Sequence, residues 1–392
     1  MDTRRRRKQL EDGGFWGVLT VGAFLLFHSR RMPAKWLLLP GVPLLLLLIF
    51  LVACHRGELP SGPDAAPSPP LALVSQYQIT DLGDIYPKDI NQQGLITGYG
   101  CGQGHEALLW RDGTLVKLEQ QGSQSGTATG ISDSGKIVGT LSSTDFVGFC
   151  LMEQAVIFHQ DGNPQTLEPG PEYEVSSAHG VNRNGEVVGY SYPSDELDTR
   201  DTKENPCHAV RWDANGNAED LGRFCGNVPC SAQAINDRGS VAGKWGDNFG
   251  LYTGRACLWR RGEFVDIGAL PGDTDSVAYA INNADDVVGA SNTSGGGNLA
   301  FLWRGGRLMS LGSLEAGGES CAFSINDRGQ IVGSSAGRAV LWQDGKLWDL
   351  NQWIQEDSGW LLQAAVAVNE KGQIVGEGTF GGRHRGFLLT PK

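Results

Sequence analysis

Asn, Asp and Gly stand together in SINDRGQIVGSS, residues 324–335, the make-up of an acidic loop in which Asn326 and Asp327 could ligate calcium and Gly329 permit the bend. Earlier in the chain GISDSGK, residues 130–136, has the G-x-x-x-x-G-K spacing of a phosphate loop, although Ile137 stands where Ser or Thr should follow. Seven Cys lie beyond Cys54. Of these Cys225 and Cys230, separated by GNVP, are the best disulfide candidates, and two of Cys101, Cys150 and Cys207 could also join. Cys257 and Cys321 sit in apolar strand patterns and are expected to be thiols of the core. Trp245, Phe249 and Tyr252 in one stretch, with Trp353 and Trp360 in another, could stack on sugar rings or anchor a protein partner; packing over the ends of the elements that carry them is an equal alternative. His105, His159, His179, His208 and His384 share no partner pattern, and neither G-x-S-x-G nor H-E-x-x-H occurs. No metal or cofactor site and no catalytic residue is expected from these patterns.

The elements that must position these residues are repeats. Residues 324–334 are the sixth of seven copies, after DINQQGLITGY, GISDSGKIVGT, GVNRNGEVVGY, AINDRGSVAGK and AINNADDVVGA, and before AVNEKGQIVGE. Their anchors are Ile90, Ile131, Val181, Ile235, Ile281, Ile325 and Val368, spaced by 41, 50, 54, 46, 44 and 43 residues. Periods of this size indicate small sheets that bury their faces only against neighbours. Each unit continues with a third strand such as RACLW or RAVLW, a Gly-containing turn such as QDGK, and a fourth strand such as FVDI or LWDL. Four strands per unit describe a propeller blade. The seventh unit stops at RGFLLTPK without a fourth strand, and YQITDLG, residues 77–83, is a fourth strand without a unit. The fold class is therefore all-β: a seven-bladed β-propeller of four-stranded antiparallel blades, closed by the N-terminal strand completing the last blade.

This periodicity decides how the first two patterns read. Calcium needs six to eight oxygens from spaced positions, but other copies offer Gln92 and Gln93, or Glu370 and Lys371, where copy six has Asp327 and Arg328. A type I turn explains the stretch better, with Asn accepting a backbone N–H and Gly taking the left-handed position. Asp285 replaces that Gly in copy five and tolerates the same conformation. GISDSGK lies on the equivalent hairpin, whereas a phosphate loop must enter a helix. Small residues alternate with larger ones before each anchor, as in Ala128 and Gly130 or Ala278 and Ala280, and let neighbouring blades approach.

Composition agrees with short strands and limits the partners. Gly contributes 56 of 392 residues, about twice its usual share. Residues before Cys54 hold eight Lys/Arg and three Asp/Glu, leaving 24 basic against 41 acidic residues, a net charge of −17. Such a balance excludes nucleic acid as a partner. Residues 1–31 are a basic and apolar extension of unclear role, and Met32 could be the true start. Residues 32–53 have a signal-peptide layout: Lys35, an apolar run from Leu37 to Phe50, and a small-residue site. Residues 54–75 carry Cys54 and a tether rich in Pro, Ala and Ser, and the folded part occupies residues 76–392.

Leu51, Val52, Ala53 and Cys54 resemble the lipobox of bacterial lipoproteins. The resemblance implies acylation of Cys54, cleavage before it, and a membrane anchor of several chains. His55 in place of an Asp favours the outer membrane over the inner; an uncleaved helix from Trp36 to Val52 is the less favoured alternative, because Pro40 and Pro43 interrupt it. From Tyr77 to Pro391 the units resemble the extracellular HAF-repeat family through the I-N-x-x-G-x-I-V-G core. The naming signature is kept only in part, by His208 in HAV and by Ala300 and Phe301 after a Leu. The resemblance implies export and repetition, with no agreed chemistry.

In a four-stranded meander the second-to-third and fourth-to-first connections share one face. Nearly all length variation falls there: Leu141 to Glu153, Ser191 to Cys207, Gly222 to Cys230, Lys244 to Gly254, Ser291 to Asn298, Leu311 to Ser320 and Asn351 to Gln363. That loop-rich face is the expected functional surface. The expectation is a monomeric, membrane-tethered binding or scaffolding module at the cell envelope, with a protein or glycan ligand. The alternative is a propeller enzyme acting on glycans or peptides at the mouth of the central channel.

Overall fold

The computed structural model describes residues 77–392 except 101–104, 121, 124, 145–150, 161, 171–172, 194–206, 227, 247–253 and 293–295. The extension, the signal-peptide layout, Cys54 and the tether lie outside the described residues, as do Phe249, Tyr252, Cys101 and Cys150. Among the described residues, 28 strands form seven four-stranded antiparallel sheets, the propeller expected from the repeats. Six sheets run in chain order, and the seventh has the order β1-β28-β27-β26. Its outermost strand, β1 (Tyr77–Gly83), pairs with β28 (Arg383–Pro391) from Tyr77 opposite Pro391 to Asp81 opposite Phe387. The ring is thus closed by the N-terminal strand, which leaves β28 with a partner on both sides.

The innermost strands, β2 (Ile85–Ile90), β6 (Ser125–Ile131), β10 (Val175–Val181), β14 (Cys230–Ile235), β18 (Asp275–Ile281), β22 (Ser320–Ile325) and β26 (Trp360–Val368), each end on a repeat anchor. The turn that follows forms as its residues dictate. Asn326 Oδ1 accepts the N–H of Arg328 and of Gln330, and Gly329 takes φ 73°. Asp285 takes φ 62° in copy five, the left-handed conformation that Asp tolerates. GISDSGK is a hairpin like the others, between β6 and β7 (Ile137–Thr144), and enters no helix. Apolar residues of neighbouring blades interlock; Ala242 and Leu258 of one blade cluster with Ala278, Val287 and Phe301 of the next.

The same Asn does a second job that the turn rule does not contain. Asn326 Nδ2 donates to the Asn369 carbonyl at 3.0 Å, and Asn369 Nδ2 to the Asn91 carbonyl at 3.0 Å. Asn182, Asn236 and Asn282 reach the next turn at 3.0, 2.9 and 3.2 Å, and Asn91 reaches Ser132 at 3.2 Å. The turns therefore form a hydrogen-bonded hoop around the channel, broken where copy two has Ser132. Lys136 Nζ, donating to the Gly185 carbonyl at 2.9 Å, spans that gap. The next residue in each turn adds a second hoop: Asp327 Oδ1 accepts the Asn283 N–H at 2.7 Å and Glu370 Oε1 the Asp327 N–H at 2.7 Å. The carboxylates of the motif are thus occupied with backbone donors.

Each Asn of the hoop is buried, so removing one strands several polar groups away from water. Asn326→Ala is expected to cost about 1–3 kcal/mol, since it leaves two part-buried N–H groups and one buried carbonyl without their partner. Denaturant unfolding would measure it; a cost below about 0.5 kcal/mol would mean that the hoop contributes nothing.

Candidate functional site

All seven innermost strands carry the same irregularity. Their register shifts between Pro87 and Asp89, Ala128 and Gly130, Ala178 and Gly180, Ala232 and Ala234, Ala278 and Ala280, Ala322 and Ser324, and Ala365 and Ala367. Each shift is a β-bulge, which places one unpaired residue on the strand and re-aims its side chain. The seven bulged residues are Lys88, Thr129, His179, Gln233, Tyr279, Phe323 and Val366. Every one of them lines a single chamber of about 780 Å³ in the central channel. Gln363, at a second bulge of β26, and Glu377 of β27 (Ile374–Phe380) complete the wall of blade seven.

The chamber belongs to the loop-rich side. Ser334 and Gly337, at the connection between β23 (Ile331–Ser335) and β24 (Arg338–Gln343), line it. On the hairpin side a smaller cavity of about 170 Å³ is lined by the anchors Ile131, Val181, Ile235, Ile281 and Ile325 with the turn residues, and shares no lining residue with the chamber.

Two of the bulged side chains are pinned to the next blade. Thr129 Oγ1 donates to the Ala178 carbonyl at 2.7 Å, and His179 Nδ1 donates to the Ala232 carbonyl at 3.0 Å. That bond fixes the tautomer, and burial holds the imidazole below its ordinary pKa, so His179 is neutral with Nε2 as a potential acceptor. Tyr279 and Phe323, on adjacent blades, face each other with ring centroids 5.7 Å apart. Burial, reinforced by Cys321 and Asp275, pushes the Tyr279 hydroxyl up to about 12, so it remains a donor at neutral pH. Lys88 Nζ lies 5.3 Å from the centre of the Tyr99 ring. Glu377 Oε2 accepts from His384 Nε2 at 3.2 Å. An aromatic pair facing amide, hydroxyl and charged groups is the chemistry of a site for a polar ligand with apolar faces.

The sequence-based candidates occupy different places. Trp353 is buried in the blade six and seven core, stacked against Tyr77 at 5.9 Å. It is a packing residue, because the 3-10 turn Leu350–Trp353 folds it inward. Trp360 stacks against Phe380 at 5.1 Å and meets Phe387 edge-on, capping blade seven. Trp245 packs edge-on against Phe264 at 5.3 Å, and its Nε1 reaches Asp266 Oδ1 at 3.4 Å. None of the three lines the chamber.

The expected pairing of Cys225 with Cys230 is not seen, and the Cys225 side chain lies outside the described residues. Cys230 begins an innermost strand, where Ser176, Ser276 and Ser320 accept the N–H of Ala155, Ala256 and Ala300 from the preceding blade. Its buried sulfur accepts the Ala209 N–H at 3.3 Å in the same way, so the thiol works as a blade-to-blade pin. Among the described residues there is no disulfide. His208, the His of the HAF signature, pairs with Asp220 at 2.9 Å across strands three and four, as Arg255 pairs with Asp266 and Arg338 with Asp349. That His is structural.

The recurring motif does not mark the chamber residues, because they occupy the variable position between the two small residues that precede each anchor, in ATGI, AHGV, AQAI, AYAI and AFSI. A position that varies freely inside an otherwise constant strand was the available signal.

Fold and site together define a seven-bladed propeller with one loop-side chamber built from the inner strand of every blade. No protein-family model matches the chain, and no curated protein does. Among solved structures the chain is similar to an oligogalacturonate lyase in complex with manganese, at 14% identity and a TM-score of 0.50, over 81% of this chain and 94% of that one. It is also similar to a streptogramin B lyase, at 10% identity and a TM-score of 0.46, over 81% and 97%. A gluconolactonase from Xanthomonas campestris is a third, at 14% identity and a TM-score of 0.37, over 85% and 99%. At these identities the likeness is one of fold.

Proposed function

We propose that this protein is an extracytoplasmic binding module, tethered to the cell envelope through Cys54, that holds a glycan in the loop-side chamber of its propeller. The observation supporting this reading is the convergence of all seven bulged residues on one chamber, with Tyr279 and Phe323 forming an aromatic wall. A sugar ring offers apolar C–H faces to such a wall and hydroxyls to Gln233, Gln363 and the Tyr279 hydroxyl. In this reading the ligand enters from the loop-rich side, which the chamber adjoins at Ser334 and Gly337, and sits in the channel.

Binding is favoured over catalysis by the inventory of carboxylates. Glycoside hydrolysis ordinarily needs a pair of them flanking the bond, and Glu377 is the single carboxylate among the described residues that line the chamber. A second reading, an enzyme using His179 as a general base, rests on its neutral imidazole and its fixed tautomer.

The test is titration of the folded domain against envelope-derived oligosaccharides. Replacing both Tyr279 and Phe323 by Ala should weaken the tightest ligand by about tenfold or more, with the circular dichroism spectrum retained. Unchanged affinity in that variant would remove the chamber from the binding site, and turnover of the oligosaccharide that is lost in His179→Ala would favour the enzyme.

A further inference from the structure

We infer that the glycan is an acidic one, whose sugar carboxylate is held by Lys88. The inference rests on the glycan-binding reading above and deepens it.

Lys88 is the bulged residue of the first innermost strand, so its side chain is directed into the chamber by the same backbone device that directs Tyr279 and Phe323. Some cations elsewhere on the propeller are matched, such as Lys117 with Glu106, Lys244 with Asp275, Arg304 with Asp286 and Arg338 with Asp349, but none of these lines the chamber. Lys88 forms no ion pair among the described residues, although the chain beyond Cys54 has 17 more acidic than basic residues. Lys88 is exposed to the solvent of the chamber, so its ammonium is accessible there to a ligand anion, and no carboxylate of the protein pairs with it among the described residues.

The groups around Lys88 reinforce this. Its neighbour Asp89 is turned to blade two, where its carboxylate accepts the N–H of Ile131 at 2.9 Å and also that of Ile90. Glu377, the other charged group of the chamber, is engaged by His384. His179 is neutral, so Lys88 is the one cation among the described lining residues. The Lys88 ammonium rests on Tyr99, which stacks with Tyr86 at 5.2 Å and with His105 at 4.5 Å; Tyr86 in turn stacks with His384 at 4.1 Å. This row of four rings is a stiff wall under the charge. Tyr279 and Phe323 come from blades five and six, and blade seven alone stands between blade six and blade one, so Lys88 lines the same chamber two blades away from Phe323. A sugar stacked on them shares the chamber with the Lys88 side chain.

The experiment compares two probes with one skeleton: a hexuronate trimer, and the same trimer with its carboxyl groups reduced to alcohols. Calorimetric titration of the wild-type domain should show the uronate bound about tenfold or more tighter than the reduced form at low salt, with the gap narrowing as salt is added. Lys88→Met should erase that gap while leaving affinity for the reduced trimer unchanged, and Lys88→Arg should preserve part of it. If wild type binds both trimers equally, or Lys88→Met retains the preference, the inference about acidity is overturned and the glycan reading stands. If neither trimer binds, both are overturned for hexuronate skeletons.

Discussion

Deleting Tyr77–Gly83 is expected to abolish cooperative folding of a domain that otherwise keeps every repeat. The segment contributes one strand to blade seven, yet it is the only part of that blade that comes from the other end of the chain. Its loss would strip Tyr77 from the blade six and seven core and Leu82 from the cluster it shares with Ile85 and Leu388. Ile79, half-buried against the first of these, would go as well. At about 1.5–3 kcal/mol for each fully buried side chain the deletion removes roughly 4–8 kcal/mol, a sum comparable with the whole stability of an ordinary domain. It would also expose the edge of β28, a strand of nine residues, as a template for pairing between chains. Thermal melts should lose their sharp transition and gel filtration should show aggregates; a monomeric truncant with a normal melt would refute closure by β1.

Gly289→Ala is expected to be severe for a reason particular to the bulges. Gly289 stands opposite Ala278, where β18 departs from regular register, and the bulge presses the Val277 carbonyl against the Gly289 Cα. A Cβ there would overlap the Val277 carbonyl oxygen and come within 2.9 Å of Phe301 Cζ in the core. Neither obstacle is the free end of a flexible side chain. The structure must either straighten the bulge or shift the strand, at about 2–4 kcal/mol. Gly162→Ala is the control: a Cβ there meets nothing closer than the His159 Cβ at 3.9 Å, and the change should stay within about 0.5 kcal/mol. Because the bulge aims Tyr279 into the chamber, Gly289→Ala should also weaken ligand binding wherever the variant still folds. Equal melting curves for the two variants would show that the close approach is unimportant.

This close approach recurs in every blade, between Gly333 and Cys321 or Gly189 and Ser177 as between Gly289 and Val277. It explains why the repeat ends in Val-Gly. The Gly was legible as a constant, but its reason was not, because the carbonyl that excludes a side chain belongs to the opposite strand. The turn residues were fully legible: Asn326 and Gly329 act within five positions of each other, and local geometry decides what they do. Their hydrogen bond to the next blade was invisible, since Asn326 and Asn369 are 43 residues apart and meet only around the ring. The contact of the Cys230 sulfur was invisible for the same reason, because the Ala209 N–H that it accepts belongs to another blade.

By itself the sequence determined the number of blades, the four strands in each and the closure of the ring. These follow from turn chemistry and a period of strand and turn, which act over a few residues and repeat. Only the tertiary structure decided where the chemistry lies. Seven residues at seven separate places in the chain, from Lys88 to Val366, share a chamber because each is displaced by a bulge and the blades are arranged around one axis. Direction and proximity of that kind depend on backbones that the local pattern does not contain, which is why Trp353 lies in the core and Tyr279 and Phe323 line the chamber.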